Sequence, residues 1–424
     1  MHSYSDQDRL TESLLQRIDN LESYFDQRES QLLAFLPEAG RFERLRREAQ
    51  FLLDRYASME ARPPLFGVLV GVKDMIHVDG FLTRAGSQLC PALLQGTEAE
   101  CVTRLRQAGA LILGKTQTSE FAYSSPTPTH NPHHPQHTPG GSSSGSAAAV
   151  AAGLCRLALG TQTTGSLIRP AAFCGVVGFK PSYDRISRAG VIPLAPSIDH
   201  VGFFTPNVHE AARAACVLCT DWQYRQPLQR KPVLGIPQGP FLARASDEGR
   251  THFEIICQCL AAAGYEVKSV PAMPDFEAIA ARHNTLLNAE AALVHARWFA
   301  AYAERYQPET ADMIRCGQGV TAAALVGARD GCQQLRAALM SLMDAHSLDL
   351  WLSPAAPGPA PKGLAYTGDA IMNLPWTHSG LPTINLPAGA NLAGLPLGLQ
   401  VTARWYADED LLAWGLVLEQ ALLD

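Results

Sequence analysis

Apolar residues recur every three or four positions across residues 10–25, LTESLLQRIDNLESYF, and again across 42–59, FERLRREAQFLLDRYASM. That spacing lines one face of a helix and predicts two amphipathic helices in the first 60 residues. Arg62, Pro63 and Pro64 end the pattern. The period then changes. LFGVLVGVKDMIHV, at 65–78, is short, valine-rich and apolar through its middle, as a buried strand is. AECVTRLRQAGALILGKTQTSEF, at 99–121, reads as a helix, a glycine stop and an apolar strand.

From 124 to 145 the chain is rich in Pro, Ser, Gly and His, without periodicity. An aperiodic stretch of that length marks a functional loop more often than a linker. SAAAVAAGL, at 146–154, resumes as helix, and residues 275–345 are mostly helical, with Ala and Leu abundant. Apolar strands recur near the C-terminus in LDLWLSP, PTINLPA and LPLGLQVTA. No internal repeat is present. The pattern predicts an α/β fold over residues 1–424 as a single domain: an N-terminal helical arm at 1–60, then a core at 61–424 built around a sheet.

Composition narrows the function classes. Of 424 residues, 47% are hydrophobic and 17% charged, which suits a large buried core. The net charge is 34 − 40 = −6, and no dense Lys/Arg block is present, which argues against nucleic acid as a partner. No apolar run approaches the roughly 20 residues of a membrane span. The polar, acid-bearing N-terminus reads as neither signal nor transit peptide. The ten cysteines sit mostly in apolar surroundings and read as reduced core residues of a cytoplasmic protein. Cys216 and Cys219 have C-x-x-C spacing, but within an alanine-rich helical run and without a second pair.

Four stretches carry candidate chemistry. Lys73 closes the run VLVGVK, where an unpaired charge would be costly and burial would lower its pKa towards that of a base. The plainer alternative is a strand-end lysine that reaches solvent or pairs with Asp74. PGGSSSGSAAAV, at 139–150, runs from a Gly/Ser loop into a helix and can offer N–H groups to an anion. It also contains G-x-S-x-G centred on Ser143, with Asp369 and His378 following in the order of a Ser-His-Asp hydrolase. The proline-rich approach to Ser143 is no strand, which argues against that triad. His130, His133, His134 and His137 form a cluster that could suggest metal, but their proline-broken loop supplies no ordered ligand face. The fourth stretch, GTQTTGSLIRPAAFCG at 160–175, places Ser166 in a polar turn after an apolar strand. Such a turn can surround an attacked carbonyl with N–H donors, or it can be a plain Thr/Ser-rich turn.

Taken together, GVLVGVKD, GGSSSGS, TTGS with RPAAFCGVVGFKPS, RLRQAGALILGKTQTSEFA, TGDAIMNLPWTHSGLPTINLPAG and GLPLGLQV resemble the amidase signature family, across roughly residues 60 to 405. The resemblance implies an α/β/α sandwich around a large, mixed, twisted sheet, with a variable helical region near 275–345. It implies a Ser–cis-Ser–Lys triad, with Lys73 as the lysine, Ser142 as the serine of the cis peptide and Ser166 as the nucleophile. The N–H groups of Thr163, Thr164, Gly165 and Ser166 match its oxyanion hole. No metal or organic cofactor is implied, and a homodimer is the family-level expectation.

Many members read Asp-Thr-Gly-Gly-Ser-Ile-Arg around the nucleophile. Here Gln162 stands for the aspartate and Thr164 for a glycine, and Arg169 lies three residues after the serine. That variant resembles a malonamidase-like branch. Arg169 then has two readings: a structural pairing with an acid, or bidentate binding of a substrate carboxylate. The expected activity is hydrolysis of a small, carboxylate-bearing amide or urea-type substrate through a Ser166 acyl-enzyme. The alternative is the catalytic subunit of a glutamine/asparagine-type amidotransferase that delivers ammonia to a partner. With no obvious extra segment for docking, the sequence leans towards the free-standing enzyme.

Overall fold

A computed structural model describes residues 13–223, 225 and 230–423. The first helix, α1 (Leu14–Leu32), opens on a capping box. Ser13 Oγ accepts from Gln16 N, and the Gln16 side chain accepts from Ser13 N, which satisfies two of the orphan donors of a helix start. The helix runs further than the predicted 10–25, and predicted residues 10–12 lie outside the described ones. After α2 (Arg41–Arg55), β1 (Leu69–Lys73), α3 (Glu100–Gln107) and β2 (Leu111–Thr116) follow as the sequence pattern predicts. Next come α4 (Ser144–Ala151), β3 (Leu157–Gln162), α5 (Ile168–Cys174), β4 (Val177–Lys180) and β5 (His200–Thr205). The chain continues through α6 (Val208–Leu218), β6 (Leu234–Gln238), α7 (Asp247–Ala262) and β7 (Val267–Pro271). Three helices, α8 (Phe276–Tyr302), α9 (Pro308–Gln318) and α10 (Ala322–Ala345), occupy the stretch read as helical. The last elements are β8 (Leu350–Pro354), α11 (Leu374–His378), β9 (Thr383–Ala390), β10 (Pro396–Thr402) and α12 (Asp408–Leu423).

Among the described residues the strands form one ten-stranded sheet, in the order β2-β1-β3-β5-β4-β9-β10-β8-β6-β7. It is mixed. β1 is parallel to β2 and β3, and β6 is parallel to β7 and β8, while the pairs through the middle are antiparallel. Successive side chains of a strand face opposite sides. Leu157, Leu159 and Phe203 therefore join a core with residues of α3, α6, α7 and α12. Ala158 and Phe204, one residue out of phase, join a second core with α1, α2, α4 and α5. Helices thus cover both faces, and the fold is an α/β sandwich. None of the described helices is long and apolar enough to cross a membrane.

The site is set at the carboxyl ends of neighbouring strands. Val70, Gly71 and Val72 of β1 pair in parallel with Leu157, Ala158 and Leu159 of β3. Lys73 at the end of β1 therefore comes level with Gly160, just before β3 ends and the Ser166 turn begins. The serine-rich loop enters α4 beside them, and Gly145 allows the approach. A Cβ there would meet Ala34 O at 2.2 Å and Gln117 N at 2.5 Å, both backbone atoms that cannot turn away. Gly145→Ala is therefore expected to lower unfolding stability by about 2 kcal/mol, measured by denaturant unfolding. Unchanged stability would refute this close-packing role.

Candidate active site

Lys73 is fully buried. Its Nζ lies 2.8 Å from Ser142 Oγ, 2.9 Å from Ser143 Oγ and 2.8 Å from Thr161 Oγ1. Among the described residues no carboxylate pairs with it. Asp74, the neighbour that could have taken this charge, is paired with Lys115 Nζ at 2.9 Å and accepts from Arg84 N and Ala85 N. Burial pushes the Lys73 pKa well below the ordinary lysine value. Asp199 pulls it partly back up, and the Arg169 charge lowers it further.

A neutral amine carries two N–H groups and a lone pair, so one surrounding hydroxyl must donate to it. Ser143 is ill suited to that, because Ser143 Oγ donates to Thr161 O at 3.1 Å. Ser142 has no such competing acceptor among the described residues, and the Gly141–Ser142 peptide is cis. The hydrogen-bonded set ends there. Ser166, 5% exposed, has no hydrogen bond from its hydroxyl among the described residues. Two contacts hold its turn against the serine loop. Gly160 leaves no room between Ser143 Oγ and Leu167, since a Cβ would sit 3.0 Å and 2.8 Å from them. Arg169, three residues past Ser166, donates to Gly141 O at 2.5 Å.

The turn itself is pinned from several directions. Gln162 Oε1 accepts from Leu167 N at 2.8 Å and Ile168 N at 3.0 Å, and its Nε2 donates to Thr377 Oγ1. The Thr163 hydroxyl donates to Asp199 Oδ1 at 2.6 Å, and Asp199 Oδ2 accepts from Leu194 N and Ala195 N. Thr164 Oγ1 lies 3.0 Å from His283 Nε2, and Thr164 O accepts from Thr377 Oγ1 at 2.6 Å. At Gly165 a Cβ would meet Asn373 Oδ1 at 2.3 Å, so only glycine fits. The N–H groups of Thr163, Thr164, Gly165 and Ser166 have no loop or side-chain acceptor among the described residues. A cavity of about 240 Å³ opens beside the turn, walled in part by Thr161, Thr163, Arg188, Leu194, Asp199 and His200.

Arg169 pairs with no acid among the described residues. Its guanidinium donates to Gly368 O at 2.6 Å and to Gly141 O, with Thr367 Oγ1 at 3.4 Å. Burial holds its pKa down to about 10, against the pull of Tyr366 and Asp369. Arg169 ties two loops by their carbonyls, where the structural reading expected an acid as its partner. The Ser143 triad does not assemble. His378 Nδ1 faces Cys332 Sγ at 3.5 Å, and Asp369 Oδ1 accepts from Ile371 N. Of the histidine cluster, His130, His133 and His137 each engage a backbone carbonyl. Of the ten cysteines, all free, Cys90, Cys216, Cys259 and Cys316 are exposed, so the reading of them as core residues holds for the other six. Asp199, Thr161 and His283 escaped the sequence reading. Asp199 had one visible signal: an acid directly before a buried strand, in SIDHVGFF.

The geometry can be set against known proteins. The Amidase family model matches residues 10–412. A glutamyl-tRNA(Gln) amidotransferase subunit of Prochlorococcus marinus (strain MIT 9313) is 33% identical, over 89% of this chain and 88% of its own length. A crystal structure of an amidase superposes with a TM-score of 0.86 at 32% identity, covering 97% of both chains. A chain of the vestigial protein complex that revealed the evolutionary origins of an s-triazine catabolic enzyme gives 0.86 at 27% identity, covering 96% of this chain and 95% of that one.

Removing the Arg169 guanidinium leaves two buried carbonyls without donors. Arg169→Met is expected to cost about 2–4 kcal/mol of stability, read by thermal unfolding. A variant as stable as the parent would show that the clamp is dispensable.

Proposed function

This chain belongs to the amidase family of amide-cleaving hydrolases, and from that premise we propose that Ser166 attacks a carboxamide, with Lys73 and Ser142 moving the proton. The observation that carries the proposal is the buried Lys73 amine hydrogen-bonded to hydroxyls and to no carboxylate. Held neutral, Lys73 takes the Ser142 proton while Ser142 takes the Ser166 proton, and Ser166 Oγ bonds to the amide carbon. The oxyanion sits among the free N–H groups of the turn at 163–166. The C–N bond then breaks, the nitrogen leaves with the relayed proton, and water releases the acyl group by the same route. No metal or organic cofactor enters these steps.

Two settings fit this chemistry. The Prochlorococcus relative is an amidotransferase subunit, and the match spans 88% of its length. This favours a subunit that releases ammonia from an amide for a partner chain, over a homodimer. The free-standing amidase is supported by the amidase structure that matches over 97% of both chains. The malonamidase-like motif belongs with that second setting and points to a small acidic amide. Because Arg169 directs its donors to Gly141 and Gly368, a substrate carboxylate would need another partner or a rearranged Arg169. We place the reaction in the cytoplasm, where ten free cysteines stay reduced.

Ammonia release is measured with glutamine, asparagine, malonamate and biuret, on the isolated chain and on tagged protein drawn from its native cells. Co-purifying partners and glutamine turnover that rises in their presence support the subunit. Full turnover of small amides by the lone chain supports the free-standing enzyme. Ser166→Ala is expected to lower kcat on the order of 10⁴-fold or more, and parental turnover in that variant would sink the mechanism. Because Lys73 must be neutral to act, kcat/KM should be lost as pH falls through its lowered pKa and stay flat above it. A profile that rises only in the ordinary lysine range, near pH ~10, would contradict a neutral Lys73 at working pH.

A further inference from the structure

Thr164 occupies the one position of the turn where the common motif has a glycine and this chain has a side chain. Thr164 is half-buried, and its hydroxyl is paired. Its partner comes from far along the chain: His283 Nε2, on the long helix α8, at 3.0 Å. His283 is fully buried, and its Nδ1 has no partner among the described residues. Burial, with His378 nearby, keeps the ring neutral, so the contact does not depend on a charge. The His378 ring stands 5.5 Å away on α11. That short helix also supplies Thr377, which holds Thr164 O. Thr164 is thus gripped at its hydroxyl by α8 and at its carbonyl by α11.

The consequence is directional. In a trans peptide the N–H points opposite to the preceding C=O. Fixing Thr164 O on Thr377 therefore aims the Gly165 N–H to the other side of the turn. The His283 contact stops Thr164 from rotating away from that orientation. The same helix steadies the other shoulder of the turn. Glu290, seven residues after His283 and so on the same face, accepts from Ser197 N at 2.7 Å and Ser197 Oγ at 2.5 Å. Ser197 lies two residues before Asp199, the acceptor for Thr163.

We propose that His283 is a positioning residue for the reaction, holding Thr164 so that the Gly165 N–H is aimed at the developing oxyanion. This rests on Ser166 being the nucleophile. His283 touches no reacting atom and acts through Thr164.

The test is a double-mutant cycle of Thr164→Val and His283→Leu. The readouts are kcat and KM on the fastest amide of the panel above, and the rate at which phenylmethylsulfonyl fluoride modifies Ser166, followed by intact mass. Each single variant is expected to lose about tenfold in kcat and in modification rate, with KM changed less than about twofold, and the double variant is expected to lose no more than either single one. His283→Gln, whose amide can reach the same hydroxyl, should recover part of the loss. Losses that multiply, a glutamine variant no better than leucine, or a change confined to KM would each overturn the proposal. If His283→Leu does not fold, the cycle is run with His283→Asn under the same criterion. Ser166→Ala separates the two ideas: a variant still turned over or still labelled there refutes the nucleophile, whereas a silent Ser166→Ala with an additive cycle refutes only the role of His283.

Discussion

The burial of one amine without a counter-charge is the constraint around which the site is arranged. Lys73 Nζ has three hydroxyl oxygens within 2.9 Å and no carboxylate partner among the described residues. An ammonium there would bear the full cost of leaving water, so the amine is driven to its neutral form. A nearby acid would undo this. Asp74, adjacent in sequence, is held off by its ion pair with Lys115. Asp199, which does act on Lys73, is occupied by the Thr163 hydroxyl and two backbone N–H groups. Burial pushes the Asp199 pKa up as well, which weakens the one charge that would restore the ammonium. Hydroxyls serve better than acids as neighbours, since each both accepts from the amine and can donate to it.

The sheet makes that burial possible. Parallel pairing of β1 with β3 brings two strand ends to one edge, and in open α/β sheets that edge is where ligands sit. The serine loop reaches the same edge because glycines let backbones come close, at Gly145 against β2 and at Gly160 against the Ser143 side chain. Arg169 then locks the arrangement. Its charge opposes a proton on Lys73. Its own solvation is replaced by the carbonyls of Gly141 and Gly368. One residue therefore fixes the serine loop and biases the lysine electrostatically.

Much of this was legible in the chain. Lys73 in an apolar run, the glycine-flanked serines and the Ser166 turn are local patterns, and each lies within a dozen residues of sequence. The N-terminal helices, β1, β2 and the helices of 276–345 follow from periodicity for the same reason. What escaped was made by long-range contact. His283 meets Thr164 across 119 residues and Thr377 meets it across 213. No spacing rule connects such segments. Arg169 shows the limit most clearly. Its burial was inferable from its apolar surroundings, but sequence patterns favour acids as partners for arginine, whereas the fold supplies carbonyls. Strand β4 was likewise hidden, since Val177–Lys180 is only four residues long.

Two of the three departures around the nucleophile prove to be linked. Gln162 stands where the common motif has an aspartate, and its Oε1 still caps Leu167 N and Ile168 N, as a carboxylate oxygen would. Its Nε2 adds what a carboxylate lacks, a donor to Thr377 Oγ1. With that lone pair engaged, the Thr377 proton is directed towards acceptors, of which Thr164 O at 2.6 Å is the nearer and Asn373 O at 3.1 Å the farther. So the amide at 162 supports the carbonyl of 164, the residue whose added side chain needs His283. An aspartate at 162 would compete with Thr164 O for the single Thr377 proton. The neutral amide keeps the helix cap and leaves the Thr377 proton to the Thr164 carbonyl.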